Sequence, residues 1–159
     1  MTPGMVGQIV LVLATVATGL GAGLFYTFSC AVMPGLRLAD DAVRVQTMQR
    51  INAAIQNGWF FLGFSGAPLL MAVSILLDAL AGNWSRVAGE AGGLILFGAA
   101  LVITFGVNIP LNLALDKADP AAPATAWRAF ETRWVRWNTA RTLTSAGGLA
   151  ALVITLAAT

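Results

Sequence analysis

The sequence predicts an all-α integral membrane protein, a four-helix bundle formed by a single domain over residues 1–159. Hydrophobic residues make up 58% of the chain and charged residues 10%, whereas a soluble domain carries about a quarter charged residues. No Asp, Glu, Lys or Arg occurs in residues 1–36, 51–77, 91–115 or 142–159. Because about 20 apolar residues cross a bilayer as a helix, each tract is a candidate span. This composition excludes a soluble enzyme, a disulfide scaffold, a disordered protein and a nucleic-acid-binding protein.

Helix-breaking and helix-capping residues predict where each helix begins and ends. The segment MPGL at 33–36 is expected to stop the first helix, because proline and glycine both break a helix. The second helix is expected to begin near Asp41, outside the membrane, and to run to about Leu80, with Pro68 as a possible kink. Pro110 is expected to end the third helix, and Thr125 is expected to cap a fourth helix that projects from the same side as the second. The predicted spans are residues 6–33, 52–80, 91–110 and 141–158.

The basic residues predict an orientation in the membrane. Every Lys and Arg except Arg86 falls in residues 37–50 or 116–141, which lie on one side if all four tracts cross. We call this side the basic end. Loops rich in Lys and Arg stay cytoplasmic, so both termini are expected to be extracytoplasmic. The first tract has no basic residue before it and is too long for a signal peptide, so it is expected to be a retained span.

Two scarce residue types limit the chemistry. The chain has no histidine, which excludes a histidine-ligated metal, a haem with an axial imidazole and a serine–histidine triad. No metal site and no cofactor are expected. Its single cysteine, Cys30, excludes an internal disulfide and is interpreted as a small buried apolar side chain.

Polar residues collect at the basic end of the predicted bundle. On the fourth helix, polar and aromatic residues recur every three or four positions and form one continuous stripe. The stripe consists of Trp127, Glu131, Trp134, Asn138, Arg141 and Ser145. A stripe facing lipid would not carry Asn138 and Arg141, because polar groups at membrane depth usually face the bundle interior. Asp78, near the opposite end, is expected either to reach the membrane interface or to pair with Arg86. The predicted inward-facing cluster consists of Arg50, Asn52, Asn57, Asn108, Asn112, Trp134, Asn138 and Arg141.

Two interpretations of this cluster are open on spacing alone. The asparagines could form a ligand site, or they could serve only the fold through hydrogen bonds between helices, each worth about 0.5–2 kcal/mol. An open, aromatic-walled pocket would favour a ligand site. Gly19 and Gly23 form a small-xxx-small pair that permits close contact inside the bundle or in a homo-oligomer.

Four sequence blocks together resemble the anthrone oxygenase-like family of small four-span membrane proteins. In order along the chain, the blocks are MPGL at 33–36, INAAIQN at 51–57, NIPLN at 108–112 and WVRWNTAR at 134–141, with Phe130-Glu131 before the last. The resemblance covers essentially the whole chain. It implies the oxidation of anthrones to anthraquinones by molecular oxygen, without a metal or flavin.

The implied reaction assigns roles to several residues. An anthrone enolate needs a flat apolar slot, hydrogen-bond donors for its oxygen and a base that removes a proton. Glu131 is the only carboxylate on the stripe, and it is therefore the candidate base. The slot is expected from Phe60, Phe61, Trp134 and Trp137, and the donors from Asn108, Asn112, Asn138 and Arg141. Arg50, Asn52 and Asn57 are the remaining candidates for substrate binding.

Two functions from different classes remain open. The first is a cofactor-independent oxygenase acting on an anthrone-like or other lipophilic aromatic compound. The second is a non-catalytic membrane protein that binds a lipid or quinone-like molecule or scaffolds a partner. A glutathione-transferring membrane enzyme is less favoured because its paired glutamates and arginine-rich face are missing. A channel is less favoured because four spans offer no repeated polar lining.

Overall fold

The computed structural model describes residues 3–158, and within these residues the chain is helical and contains no strand. Four helices are long and apolar enough to cross a membrane. A shorter helix lies between the first two spans. The prediction of an all-α integral membrane four-helix bundle is confirmed. The helices are α1 (Gly4–Leu36), α2 (Asp41–Ala54), α3 (Gly58–Leu80), α4 (Trp84–Asp116) and α5 (Pro123–Ala157).

The four long helices form a closed ring of neighbours. Helices α1 and α4 each pack against both α3 and α5. Helices α4 and α5 come closest at Gly93 and Gly148, where a Cβ built on Gly148 would lie 3.0 Å from the Gly93 carbonyl oxygen. Small residues permit this close approach of two backbones. The middle of the bundle is filled by Leu11, Ala14, Ala67, Met71, Phe97 and Leu152.

Two of the spans contain a π-helical turn shortly before a proline. The turn in α1 is Phe28–Val32, two residues before Pro34, and the turn in α4 is Thr104–Asn108, two residues before Pro110. A proline inside an α-helix lacks an N–H donor and clashes with the carbonyl four residues earlier. A wider π turn relieves that clash. The prediction that residues 33–36 stop the first helix is confirmed, because α1 ends at Leu36. The prediction that α4 ends around Pro110 is wrong, because this helix continues to Asp116.

The predicted unbroken helix over residues 41–80 is also wrong, because the chain breaks between α2 and α3. Asn57 adopts an extended backbone, and its side-chain oxygen accepts a hydrogen bond from the Phe60 N–H at 3.1 Å. Its Nδ2 donates to the Ala54 carbonyl at 2.8 Å. Asn57 thus caps the start of α3 and satisfies the end of α2, as asparagine does well at an N-cap.

A second core lies at the basic end of the bundle. Helix α2 packs on α5, and Gln49 Nε2 donates to the Leu115 carbonyl of α4 at 2.9 Å. Helix α5 begins at Pro123, not with Thr125 as its cap. The buried residues of this second core are Phe28, Met33, Leu36, Val45, Met48, Leu115, Trp127, Phe130 and Trp134.

The opposite end of the bundle is closed by a small buried polar cluster between α3 and α4. Arg86 Nε lies 3.1 Å from Asp78 Oδ2, so the predicted ion pair is present. Asn83 Nδ2 donates to Asp78 Oδ1 at 3.0 Å. Ser74 Oγ donates to Glu90 Oε1 at 2.9 Å, and both of these side chains are fully buried. These contacts join the two helices across their connecting turn.

The only cysteine lies on the outside of the bundle. Cys30 is exposed, so the prediction that it is a buried apolar side chain is wrong. It lies on the face of α1 that points away from α3 and α5. Many exposed leucine and valine side chains of the same helix also point outward. Exposed apolar side chains along a span are expected, because they face lipid.

Candidate functional site

A cavity of about 350 Å³ lies at the basic end of the bundle. Its volume falls in the range of about 300–1,000 Å³ that is usual for small-molecule sites. Every helix of the structure contributes to its wall. The lining residues are Leu24, Phe25, Phe28, Met48, Ile51, Asn52, Ile55, Gln56, Phe60, Phe61, Phe64, Ser65, Thr104, Phe105, Asn108, Ile109, Asn112, Leu113, Asp116, Trp134 and Arg141.

Aromatic rings form most of the apolar wall. Phe60 and Phe64 stack with centroids 4.9 Å apart, and Phe25 meets Phe64 edge-on at 6.3 Å. On the other side, Phe28 lies 5.3 Å from Trp134. Such offset and edge-on arrangements hold rings rigidly in place. The wall therefore suits a flat apolar ligand.

Arg141 lies in the wall with its side chain buried between two aromatic rings. Its guanidinium carbon is 4.4 Å from the centre of the Phe25 ring and 5.3 Å from that of Trp134. Its Nη1 donates to Thr104 Oγ1 at 3.2 Å, and its Nη2 donates to Asn138 Oδ1 at 2.7 Å. Neutral groups on every side thus hold the cation in a fixed orientation.

No carboxylate compensates the charge of Arg141 within the described residues. The ion pairs there join Arg37 to Glu131, Arg44 to Asp41 and Arg86 to Asp78. Arg141 is only 6% exposed, and its Nε has no hydrogen-bond partner. Burying an unpaired charge costs several kcal/mol, and charged groups inside a membrane protein usually mark a functional site. The wall of the cavity therefore contains a buried cation that has no ion-pair partner among the described residues.

Two asparagines that line the cavity also have unused hydrogen-bonding atoms. Asn52 Nδ2 and Asn108 Oδ1 are buried and have no partner. Most buried polar atoms in proteins are hydrogen-bonded, so such atoms require an explanation. Together with Arg141 Nε, they are two donors and one acceptor that have no partner, all on residues that line the cavity.

Two other asparagines hold parts of the wall in position. Trp134 Nε1 donates to Asn112 Oδ1 at 2.8 Å, which fixes the indole ring. Asn138 does not line the cavity. Its Nδ2 donates to the Phe25 carbonyl at 3.0 Å and to Ser29 Oγ at 2.8 Å. Asn138 therefore supports Arg141 from behind by joining α5 to α1.

Glu131, the predicted base, lies outside the cavity. Its Oε2 accepts a hydrogen bond from Trp127 Nε1 at 2.8 Å, and its Oε1 forms an ion pair with Arg37. Both oxygens are thus occupied on the first half of α5. The stripe on α5 indeed faces inward, but at this level it faces the second core and not the cavity.

Three further predicted site residues also lie outside the cavity. Arg50 is exposed at the surface of α2. Asn57 is the cap of α3, with its side chain bonded to backbone. Trp137 is partly buried on α5 away from the lining residues. The predicted site residues that do line the cavity are Asn52, Phe60, Phe61, Asn108, Asn112, Trp134 and Arg141.

Asp116 was not expected in the site, because the third helix was expected to end around Pro110. Thr104, Asn108, Asn112 and Asp116 follow one another at intervals of four residues, and all four line the cavity. Residues at this spacing share a helix face, so a continuous α4 would have revealed the series. Among residues 3–158, no three Cys, Asp or Glu side chains lie close enough together to hold a metal ion.

Comparison with known families gives one match. Residues 57–151 match the family model described as anthrone oxygenase. This segment covers more than half of the chain and includes α3, α4 and most of α5, with Asn108, Trp134 and Arg141. No significant match was found among curated proteins or among solved structures.

Proposed function

The chain belongs to the anthrone oxygenase family, and from this membership we propose that it oxidises an anthrone-like, lipophilic aromatic compound with molecular oxygen. The observation that carries the proposal is the buried, unpaired Arg141 in an aromatic cavity of about 350 Å³. Such a site favours a flat molecule that becomes an anion inside the pocket. An anthrone meets this description, because loss of a proton from its methylene carbon yields an aromatic enolate.

The polar atoms of the cavity match the oxygens of such an enolate. The negative charge of the enolate resides mainly on the oxygen opposite the reactive carbon. Arg141 Nε and Asn52 Nδ2 would donate to this oxygen, and Asn108 Oδ1 would accept from a neighbouring phenolic hydroxyl group. Fixed donors in a site shielded from water stabilise a developing anion far better than water does. The proposed role of these residues is therefore to favour proton loss from the bound substrate.

The oxygenation then follows from the electron-rich enolate. The enolate transfers one electron to oxygen, which gives a carbon radical and superoxide. These combine to a peroxide at the reactive carbon, and its protonated form loses water to leave a carbonyl group. One methylene and one O₂ thus become one carbonyl and one water. The aromatic wall contributes by excluding bulk water from the radical pair.

The surface of the cavity suggests how a lipophilic substrate enters. Phe61, Phe105 and Leu113 line the cavity and are also 52%, 62% and 53% exposed. They lie on α3 and α4, so an opening of the cavity between these two helices would face the bilayer. We propose that the substrate enters from the bilayer and that the basic end is cytoplasmic, since it carries nearly all of the Lys and Arg.

The proposal is tested by oxidising a 1,8-dihydroxyanthrone with the purified protein in lipid nanodiscs. Oxygen consumption and anthraquinone absorbance are followed, with the spontaneous oxidation in protein-free nanodiscs subtracted. We expect acceleration by the wild type, a large loss with Arg141→Gln and no loss with Arg136→Gln, which changes an exposed arginine of the same helix.

The same experiment separates the oxygenase from the alternative function. Binding of the anthrone without accelerated oxidation would contradict the oxygenase and favour a non-catalytic membrane protein that binds a lipid or quinone-like molecule. Absence of binding would contradict both functions of the cavity and favour a scaffold for a partner.

A further inference from the structure

We infer that Asn112 is a second ligand-binding group of the cavity, and that its Nδ2 donates a hydrogen bond to an oxygen at the end of the substrate remote from Arg141. The inference rests on the proposed function, which places the anionic oxygen of the substrate at Arg141. It adds a requirement for a second oxygen. The substrate class is thereby narrowed to aromatic compounds that carry oxygen on two separate edges.

The contact between Asn112 and Trp134 determines which end of the Asn112 amide is free. An indole N–H can only donate, and Trp134 Nε1 donates to Asn112 Oδ1 at 2.8 Å. A flipped amide would bring its own N–H groups against this donor, so the orientation of the amide is set. Asn112 Nδ2 is therefore turned away from the indole nitrogen, and none of the described residues accepts a hydrogen bond from it.

Asn112 reaches the cavity, so a ligand can meet its free donor. The residue lines the cavity and is partly exposed, whereas Asn108, one turn earlier on α4, is almost fully buried. A polar group that is shielded from water normally has a hydrogen-bond partner. An aromatic ligand displaces water from this part of the cavity, and an oxygen of the ligand must then replace the lost partner.

The Trp134 indole separates Asn112 from Arg141. The guanidinium carbon of Arg141 lies 5.3 Å from the centre of this ring system, and Asn112 Oδ1 lies 2.8 Å from its nitrogen. On α4, Arg141 donates to Thr104, and Asn112 follows Thr104 by two helical turns, or about 12 Å along the axis. A tricyclic ligand with a hydrogen bond of about 2.9 Å at each of two edges can span this separation.

A donor in this position selects a ligand through the cost of leaving the donor unpaired. A compound without the remote oxygen would cover Asn112 Nδ2 and offer it no acceptor, which weakens binding by about 5- to 150-fold. A hydroxyl or a methoxy group would satisfy the donor, because the oxygen of either group accepts a hydrogen bond. The contact is remote from the enolate oxygen, so it contributes to binding and orientation and not to proton loss.

The test compares three ligands that differ only at the remote edge: 1,8-dihydroxyanthrone, 1,3,8-trihydroxyanthrone and 1,8-dihydroxy-3-methoxyanthrone. The Kd of each is measured in nanodiscs without oxygen, by quenching of tryptophan fluorescence. Asn112→Asp keeps an acceptor for Trp134 Nε1 and replaces the donor by a carboxylate oxygen, and Asn112→Leu removes both. The matched control is Gln46→Glu, which makes the same amide-to-carboxylate change at an exposed residue of α2.

We expect the wild type to bind both substituted ligands about 5- to 150-fold more tightly than 1,8-dihydroxyanthrone. Asn112→Asp should still bind the trihydroxy compound tightly, because its hydroxyl group donates to the new carboxylate. The same variant should lose the tight binding of the methoxy compound, which has no hydrogen to donate there. Asn112→Leu should bind all three ligands alike, and Gln46→Glu should match the wild type.

The preference between hydroxyl and methoxy separates ligand recognition from a role of Asn112 in holding Trp134 alone. Equal binding of the three ligands by the wild type would overturn the inference, and this comparison requires no variant to fold. An Asn112→Asp protein that ranks the ligands as the wild type does would overturn it as well. Absence of binding of any of the three ligands would instead contradict the proposed function itself.

Discussion

Replacing Arg141 by methionine should weaken ligand binding without weakening the fold. Methionine keeps much of the length and apolar contact of arginine but removes the charge. In most buried arginines, such a change leaves a carboxylate unpaired and destabilises the protein by about 3–5 kcal/mol. Here no carboxylate partner is present among the described residues, so that cost does not arise.

The magnitudes follow from the contacts of the side chain. A hydrogen bond to a charged group contributes about 1.5–3 kcal/mol, which at about 1.4 kcal/mol per tenfold corresponds to a Kd roughly 10- to 150-fold weaker. On the folding side, Asn138 Oδ1 loses its donor, at a cost of about 1–3 kcal/mol. Removing the unpaired buried cation offsets this cost by several kcal/mol. The free energy of unfolding should therefore stay constant or rise.

The two quantities are measured on the same nanodisc preparation. Quenching of tryptophan fluorescence by a 1,8-dihydroxyanthrone gives the Kd, because Trp134 forms part of the cavity wall. Thermal unfolding gives the stability, and Arg136→Met serves as the exposed control. A strongly destabilised Arg141→Met protein with an unchanged Kd would refute the reasoning and assign Arg141 to the fold alone.

Three other predictions test the fold and its orientation. Asn57→Ala should destabilise the protein by about 0.5–2 kcal/mol through loss of the α3 cap, while the Kd stays unchanged; a weaker Kd would return this residue to the binding site. Gly148→Ala should lower the free energy of unfolding by about 1–3 kcal/mol, because its Cβ would lie 3.0 Å from a carbonyl oxygen of α4. Gly92→Ala should have little effect, because a Cβ built on Gly92 would have no heavy atom within 4 Å. Both variants are measured by chemical denaturation. In intact cells and a background without the native cysteine, Ala121→Cys should resist an impermeant thiol reagent while Ser85→Cys reacts; the reverse pattern would invert the proposed orientation.

The membrane spans could be predicted from the sequence because hydropathy is summed over many residues and does not depend on any one of them. A tract without charges over the thickness of a bilayer has few structural alternatives. Helix boundaries depend on single residues, and here the helix propensities of those residues predicted some boundaries wrongly. Asn57-Gly58 is a favourable helix start, and it breaks the chain although the surrounding residues suit a helix. Pro110 is an unfavourable helix residue, yet the helix continues because a π turn accommodates it.

The residues that form the site could be predicted only in part, because an inward-facing residue lines the cavity at one height of the bundle and a packed core at another. Periodicity correctly placed Trp134 and Arg141 on an inward face. The same periodicity included Glu131, which faces inward too, but toward a packed core where Trp127 and Arg37 occupy its oxygens. Spacing along one helix predicts which way a side chain points, but it does not predict which part of the neighbouring helices that side chain meets. Asp116 was missed for the complementary reason, since its helix was expected to end before it.

The two π turns explain why the proline-containing motifs and the polar stripe belong to one site. Arg141 donates to Thr104, the first residue of the π turn in α4. Asn138 donates to Ser29, which lies within the π turn of α1. Each polar group of α5 therefore binds a segment whose helical geometry is set by a following proline. Replacing either proline would favour regular α-helix and shift these partners, so the prolines shape the cavity without lining it.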